Sequence, residues 1–363
     1  MADYTEPLPN TLTRKGYLLK DLSRNFLQVI GETGPVATGK LMHFTADFIT
    51  SGGLELWQKL CWDYAYDHVG VASPRIFYYL NKQFKLLDER SSKVALDKFC
   101  RDIEAQQQVM EIGLILQMCP KKGKVKYPSI PADTHENENW LRSVLRTTDK
   151  AAVRKVWNRS SDQEQMLHAG NEMVFAITEG APERALFWAK WLQEEDQLIK
   201  KKYGTGLSTY DRGPATSKQR TNTGYYLIAV LAELYKEHYA KGMIRMNEEF
   251  QALLDLYRDQ DTSQKHKGDI IAIMIQILTE VPKWKVPAAP SLVQDPGSLQ
   301  RTVQSAEQFF DELLRLPALQ KPLPTKVSGL KSVSKKKDKS KEADLEAKLA
   351  EIDRVTMSFY GKM

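Results

Sequence analysis

Apolar residues recur along this chain at intervals of three and four, the spacing that lines one face of an α-helix, while the strict alternation of a half-buried strand is nearly absent. Over residues 13–30, Leu18, Leu19, Leu22, Phe26, Leu27 and Ile30 share a face, and Gly31 follows as a left-handed stop. Leu41, Phe44, Phe48 and Ile49 mark a second helix, closed by Ser51, Gly52 and Gly53. Trp57, Leu60, Cys61 and Tyr64 carry a third over 54–69, ended by Gly70. Ser73 and Pro74 supply a cap and a first-turn proline for a helix over 75–89. Ser92 opens a long one that runs to Met118, ahead of Pro120.

The second half repeats this grammar. Thr134 caps a helix over 135–146, a short one surrounds Trp157, and Ser161 with Glu164 has capping-box spacing for a helix reaching Thr178. Gly180, Ala181 and Pro182 then introduce a helix over 183–202. A polar loop, 203–223, leads to the apolar stretch 225–239, terminated by Gly242. Helices over 250–257 and 269–278, a proline-punctuated connector over 282–296 and a last core helix over 298–316 follow. Residues 28–30 and 327–333 come nearest to strand alternation, without a full period. Helix and loop lengths change from hairpin to hairpin, so the pattern predicts an all-α irregular bundle or helical-hairpin array instead of a regular solenoid.

Composition sets the limits of this fold. The 363 residues, 42% hydrophobic and 27% charged, suffice for two helical lobes. The expected division is an N-terminal lobe 1–120, a basic and proline-containing linker 121–133, and a C-terminal lobe 134–316. Residues 317–341 are rich in Pro, Lys and Ser and read as a basic tether unable to bury enough apolar surface to order itself. Beyond it, 342–363 forms a short helix whose narrow stripe of Leu345, Leu349 and Ile352, with Val355 or Thr356, needs a surface to dock on.

The longest apolar run, 225–234, is much shorter than the roughly 20 residues of a membrane span. The acidic, polar N-terminus lacks the pattern of a secretory signal, so the expectation is an intracellular chain, cytoplasmic or nuclear. Cys61, Cys100 and Cys119 sit in apolar helical contexts and read as reduced, packed thiols.

Several motifs come close to chemistry. Residues 34–41 match a phosphate-binding loop up to Leu41, where a magnesium-holding Ser or Thr is required, and they follow an amphipathic helix instead of a buried strand. The segment therefore reads as a turn in which Thr38 caps the next helix. Asp63, Asp67 and His68, like the run Glu194, Glu195 and Asp196, read as solvated helix faces. His43, His68, His135, His168, His238 and His266 fall into no metal-ligand spacing, and Ser208 and Ser217 lack a nucleophile elbow. No metal, cofactor or catalytic residue is expected.

The net charge of +6 gives the better lead. Lys121, Lys122, Lys124 and Lys126 with Tyr127 form one basic loop, and Lys200, Lys201, Lys202, Tyr203, Tyr210, Arg212, Lys218 and Arg220 form another. Such cations neutralise phosphates while interleaved tyrosines stack on unpaired bases, although lysines after a helix also complement its dipole. Lys335, Lys336, Lys337, Lys339 and Lys341 make the tether an electrostatic arm or an import signal. At the terminus, residues 355–360 end in Phe359 and Tyr360 and resemble the peptides by which replication proteins dock on sliding clamps. Asp353 and Thr356, however, stand where those peptides carry glutamine and an aliphatic residue.

The resulting expectation is a non-catalytic helical scaffold that meets DNA or RNA through its basic loops and tail, and a protein through its terminal helix. The alternatives are a cellular or viral assembly subunit that binds only protein, itself included, and an enzyme. A deep pocket with converging carboxylates or His168 would be the sign of the last.

Overall fold

The computed structural model describes residues 12–214, 220–280, 292–319, 321 and 323–324. These residues form an all-α protein, and among them no strand develops; two isolated bridges join Leu12 to Leu18 and Asp162 to Ser208. In chain order the helices are α1 (Leu19–Ile30), α2 (Pro35–Thr50), α3 (Leu54–Tyr64), α4 (Arg75–Ser91), α5 (Leu96–Cys100) and α6 (Ile103–Met118). Then come α7 (Glu138–Val144), α8 (Ala151–Arg154), α9 (Glu164–Thr178), α10 (Pro182–Tyr203), α11 (Thr223–Ala240), α12 (Asn247–Arg258) and α13 (Gln264–Thr279). The last two are α14 (Pro296–Gln304) and α15 (Ala306–Leu314).

The chain divides into two units. One holds the described residues up to Ala65, from Tyr79 to Pro120 and from residue 292 onward; the other holds Tyr66 to Tyr78 and those after Pro120 up to residue 280. The expected lobe 134–316 is corrected here: α14 and α15 belong to the first unit, where α15 packs on α2 and α6 and α14 packs on α6. Their buried Val303, Ala306, Phe310 and Leu313 complete its core, a partnership that position along the chain does not encode.

In the first unit α2 is the central element, because every residue from Leu41 to Thr50 is buried against its neighbours. A helix enclosed on all sides must bury its polar residues too, and Asp47 is satisfied by the segment before α1. Thr13 Oγ1 donates to its carboxylate at 2.5 Å and the Lys15 backbone N–H at 3.0 Å. Arg14 donates to the carbonyls of Leu314 and Leu316, satisfying the last turn of α15. Residues 13–17 are thus a strap, and α1 starts at Leu19 instead of at 13.

Other helix ends also move from their expected places. Gly31 stays right-handed at φ −78°, and the left-handed turn falls on Gly34 at φ 102°. Gly34 caps α2 and Pro35 takes its first position; Thr38 lies inside the helix, its hydroxyl 3.0 Å from Gln117 Oε1. The phosphate-loop look-alike is therefore mostly helix. Asp102 accepts from the N–H groups of Glu104 and Ala105 and starts α6 anew, breaking the long helix expected from Ser92. The expected helix 54–69 ends as a π-turn over Ala65–Val69.

The second unit is built on the hairpin α9–α10, turned at Gly180 with φ 72°. Helices α11 and α13 pack on this hairpin and on each other, and Trp191, Leu192, Tyr226, Leu231, Ile270 and Met274 lie in the core. The α9 helix begins at Glu164 with Gln163 ahead of it and no side-chain cap, and the Ser161 carbonyl accepts the Thr209 N–H at 3.0 Å.

Candidate functional site

Helical periodicity on α10 places Trp191, Glu195 and Ile199 at successive i+4 positions, and all three are buried. Glu195 is thus not part of a solvated face, and neither is Asp196. A carboxylate in such a place needs donors. Glu195 accepts the Glu136 N–H at 3.1 and 3.2 Å and lies 2.8 Å from Nδ1 of His135. Asp196 accepts from Lys200 Nζ at 2.7 Å and from the Leu207 N–H at 2.8 Å, which folds the loop after α10 back onto the helix.

The Glu195 contact reshapes the segment before α7. Glu136 is forced to φ 49°, the left-handed region that side chains seldom adopt, so the helix expected from 135 starts only at Glu138, capped by Asn137. Thr134, the expected cap, is buried in a short 3-10 turn instead. The His135 ring lies parallel to Trp191, with centroids 6.0 Å apart and 8° between the planes. Trp140 leans on both Trp188 and Trp191, at 5.9 Å from each.

Between this segment, α9 and α10 lies a cleft of about 380 Å³, large enough for an amino-acid-sized group. Glu136, Glu138, Glu164, His168, Trp191 and Glu195 are among its lining residues. Glu138 pairs with Arg142 at 2.6 Å. Glu136 pairs with Lys202, whose ammonium also sits 5.1 Å from the centre of the Tyr203 ring. The Glu136 contact holds the Lys202 ammonium above its ordinary range. Glu164 is exposed and makes no ion pair or side-chain hydrogen bond among the described residues. Nδ1 of His168 and Nε1 of Trp191 are buried without a hydrogen-bond partner there.

The basic loops are less open than their composition suggests. Lys124 Nζ lies 2.7 Å from Asp269 and 3.3 Å from Asp67, Lys265 reaches Asp67 at 3.0 Å, and Lys122 reaches Glu280 at 3.4 Å. Burial alone would raise the Asp67 carboxyl, but Lys265 and Lys124 outweigh it and hold it below its ordinary range. Asp67 is therefore half of an ion-pair cluster, not a solvated carboxylate. Tyr127 donates to the Gly268 carbonyl at 2.7 Å. Lys121 is exposed.

In the second loop Lys200 is bound to Asp196, Lys202 to Glu136 and Arg220 to Asp211, while Arg212 forms a buried pair with Asp162. Lys126 and Lys201 remain exposed without an ion pair among the described residues. Tyr203 and Tyr210 are exposed. Lys218, Lys335, Lys336 and Lys337 lie outside the described residues, as do Leu345, Leu349, Ile352, Phe359 and Tyr360 of the expected docking helix.

Among the described residues no group of three His, Cys, Asp or Glu side chains is placed to hold a metal ion, and no helix is long and apolar enough to cross a membrane. No family model, curated protein or solved structure matches the chain. The cleft escaped the sequence reading, although a glutamate on the apolar face of α10 between Trp191 and Ile199 was a visible signal.

Proposed function

We propose that this chain is an all-α binding protein whose recognition site is the cleft beside α10. The observation that carries the reading is Glu195: a buried carboxylate that fixes His135 and the left-handed Glu136 while lining an open cavity. Strained backbone and orphaned buried donors concentrate at sites that do work, because strain and unmet polar groups cost stability everywhere else.

The reading is tested by screening a small-fragment library against the full chain with isotope-labelled tryptophan indoles. Saturable shifts of the Trp191 and Trp140 signals, abolished when Gln165→Trp fills the cavity from its rim, are expected. A library in which no fragment moves the Trp191 signal would overturn it.

A second reading, association with DNA or RNA, retains support from exposed Lys126 and Lys201 and from the lysine-rich tail in the sequence. It predicts salt-sensitive binding, measured by fluorescence anisotropy, that weakens when the chain ends after Pro324. Absence of binding at low salt would remove it. Convergence of carboxylates and His168 in one cavity also keeps acid–base chemistry as an alternative use of the same cleft.

A further inference from the structure

Resting on the reading of the cleft as a binding site, we infer that its ligand is an organic cation, a primary ammonium or guanidinium group of the kind carried by lysine and arginine. Among the described residues four carboxylates line the cavity, those of Glu136, Glu138, Glu164 and Glu195, while Arg142 is the one arginine or lysine that does so. Lys202 reaches the Glu136 carboxylate beside the lining, and the balance is still negative in a chain whose net charge is +6. An acidic balance alone would only describe a surface. Here it lines a half-open cleft that Trp191 and Tyr203 also line, and Glu164 is left unmet among the described residues.

Glu164 has no partner among the described residues, so a donor-rich ligand satisfies it. The Trp191 Nε1 donor, in a side chain only 1% exposed, is likewise unmet and calls for an acceptor next to the cation, such as an amide carbonyl. The lip of the cleft already displays this recognition within the fold. The Lys202 ammonium is held there between the Glu136 carboxylate and the face of Tyr203. A cation entering the cavity would meet the same combination of carboxylate and ring, with the exposed Tyr203 as the ring.

Calorimetric titration of the full chain separates the possibilities. The probes are L-argininamide, L-lysinamide and L-citrullinamide, the last being an uncharged near-isostere of the first. Argininamide is expected to bind at least about tenfold more tightly than citrullinamide, the difference shrinking with added salt. Glu164→Gln, a change at an exposed and unpartnered side chain, is expected to weaken argininamide binding by up to about fivefold without altering the fold.

Equal affinity for citrullinamide would overturn the cationic class while leaving the cleft as a site. Argininamide binding unchanged by Glu164→Gln would place the ligand elsewhere and overturn the inference. No heat from any of the three, with fragments still moving the Trp191 signal, would overturn the inference and not the reading beneath it. A peptide of residues 331–341 distinguishes the source: tighter binding than argininamide supports a peptide-borne cation, and equal or weaker binding supports a free one.

Discussion

Arg212 grips Asp162 in an ion pair closed to solvent on both sides, with side-chain exposures of 7% and 0%. Its Nη1 also lies 3.0 Å from Ser208 Oγ, and its Nη2 donates to the Val156 carbonyl at 3.0 Å. The guanidinium sits over the rings of Tyr210 and Tyr226, at 4.8 and 5.3 Å from their centres. A side chain that composition assigns to a nucleic-acid-binding loop is thus the staple holding that loop to the start of α9.

Removing one partner of such a pair leaves the other charge buried and alone. Arg212→Ala is therefore expected to lower stability by about 3–5 kcal/mol. Lys201→Ala, at an exposed side chain, is expected to change it by less than about 0.5 kcal/mol. Urea unfolding of the two variants measures both, and a silent Arg212→Ala would refute the staple.

The strap over α2 makes a pH prediction with two opposing parts. Burial pushes the Asp47 carboxyl up to about 6 from an ordinary 3.8, against the pull of Thr13, Lys15 and Ser51. Its folded form favours the proton, so this contribution is fully present below about 3.8 and is lost as pH rises through about 6. At about 1.4 kcal/mol per pH unit it amounts to about 3 kcal/mol. His43 behaves in the opposite sense: burial lowers it to about 4, opposed by Glu312 and assisted by Lys15, so its contribution is present above 6.5 and lost as pH falls to about 4. In the native chain the two offset each other. Asp47→Asn should lose stability on acidification from about pH 6 to about pH 4, and His43→Gln should gain it. Denaturation midpoints with the same slope in both variants would contradict the assignment.

Close packing at Gly170 gives a prediction of another kind. A Cβ there would run into the hydroxyl of Tyr226, which donates to the Met166 carbonyl at 2.8 Å, and would press on Val153. Gly170→Ala is expected to cost about 1–3 kcal/mol by overpacking. The cost should shrink when Tyr226→Phe removes the obstructing oxygen, and a double-mutant cycle in thermal unfolding reads the difference.

Cys61, Cys100 and Cys119 are all buried, and among the described residues none is in a disulfide. Burial pushes the Cys61 thiol well above its ordinary range and the Cys100 thiol up to about 12, which keeps both in the unreactive protonated form. An aromatic disulfide reagent should therefore leave the native chain unmodified and titrate all three thiols after denaturation. Rapid labelling of the native chain would overturn this.

The sequence by itself determined that the chain is helical, where most helices lie, that the cysteines are packed apolar groups, and that α9 and α10 form a hairpin. These follow from local period and from Gly and Pro punctuation, which act within one or two turns. Tertiary structure decided which charges are buried. Glu195, Asp196, Lys124 and Arg212 carry the polarity of solvated residues, and an isolated buried charge is so costly that solvation is the natural expectation for each. The Glu195 and Arg212 side chains are buried because a remote group meets each: His135 lies 60 residues from Glu195 and Asp162 lies 50 from Arg212, whereas Asp196 is met nearer by, by Lys200 and the Leu207 N–H. The move of α14 and α15 onto α2 and α6 has the same cause, since an apolar face specifies only that it must be covered. Which surface covers it is settled by the packing of the whole chain, and so is the place where a carboxylate-lined cavity is left open.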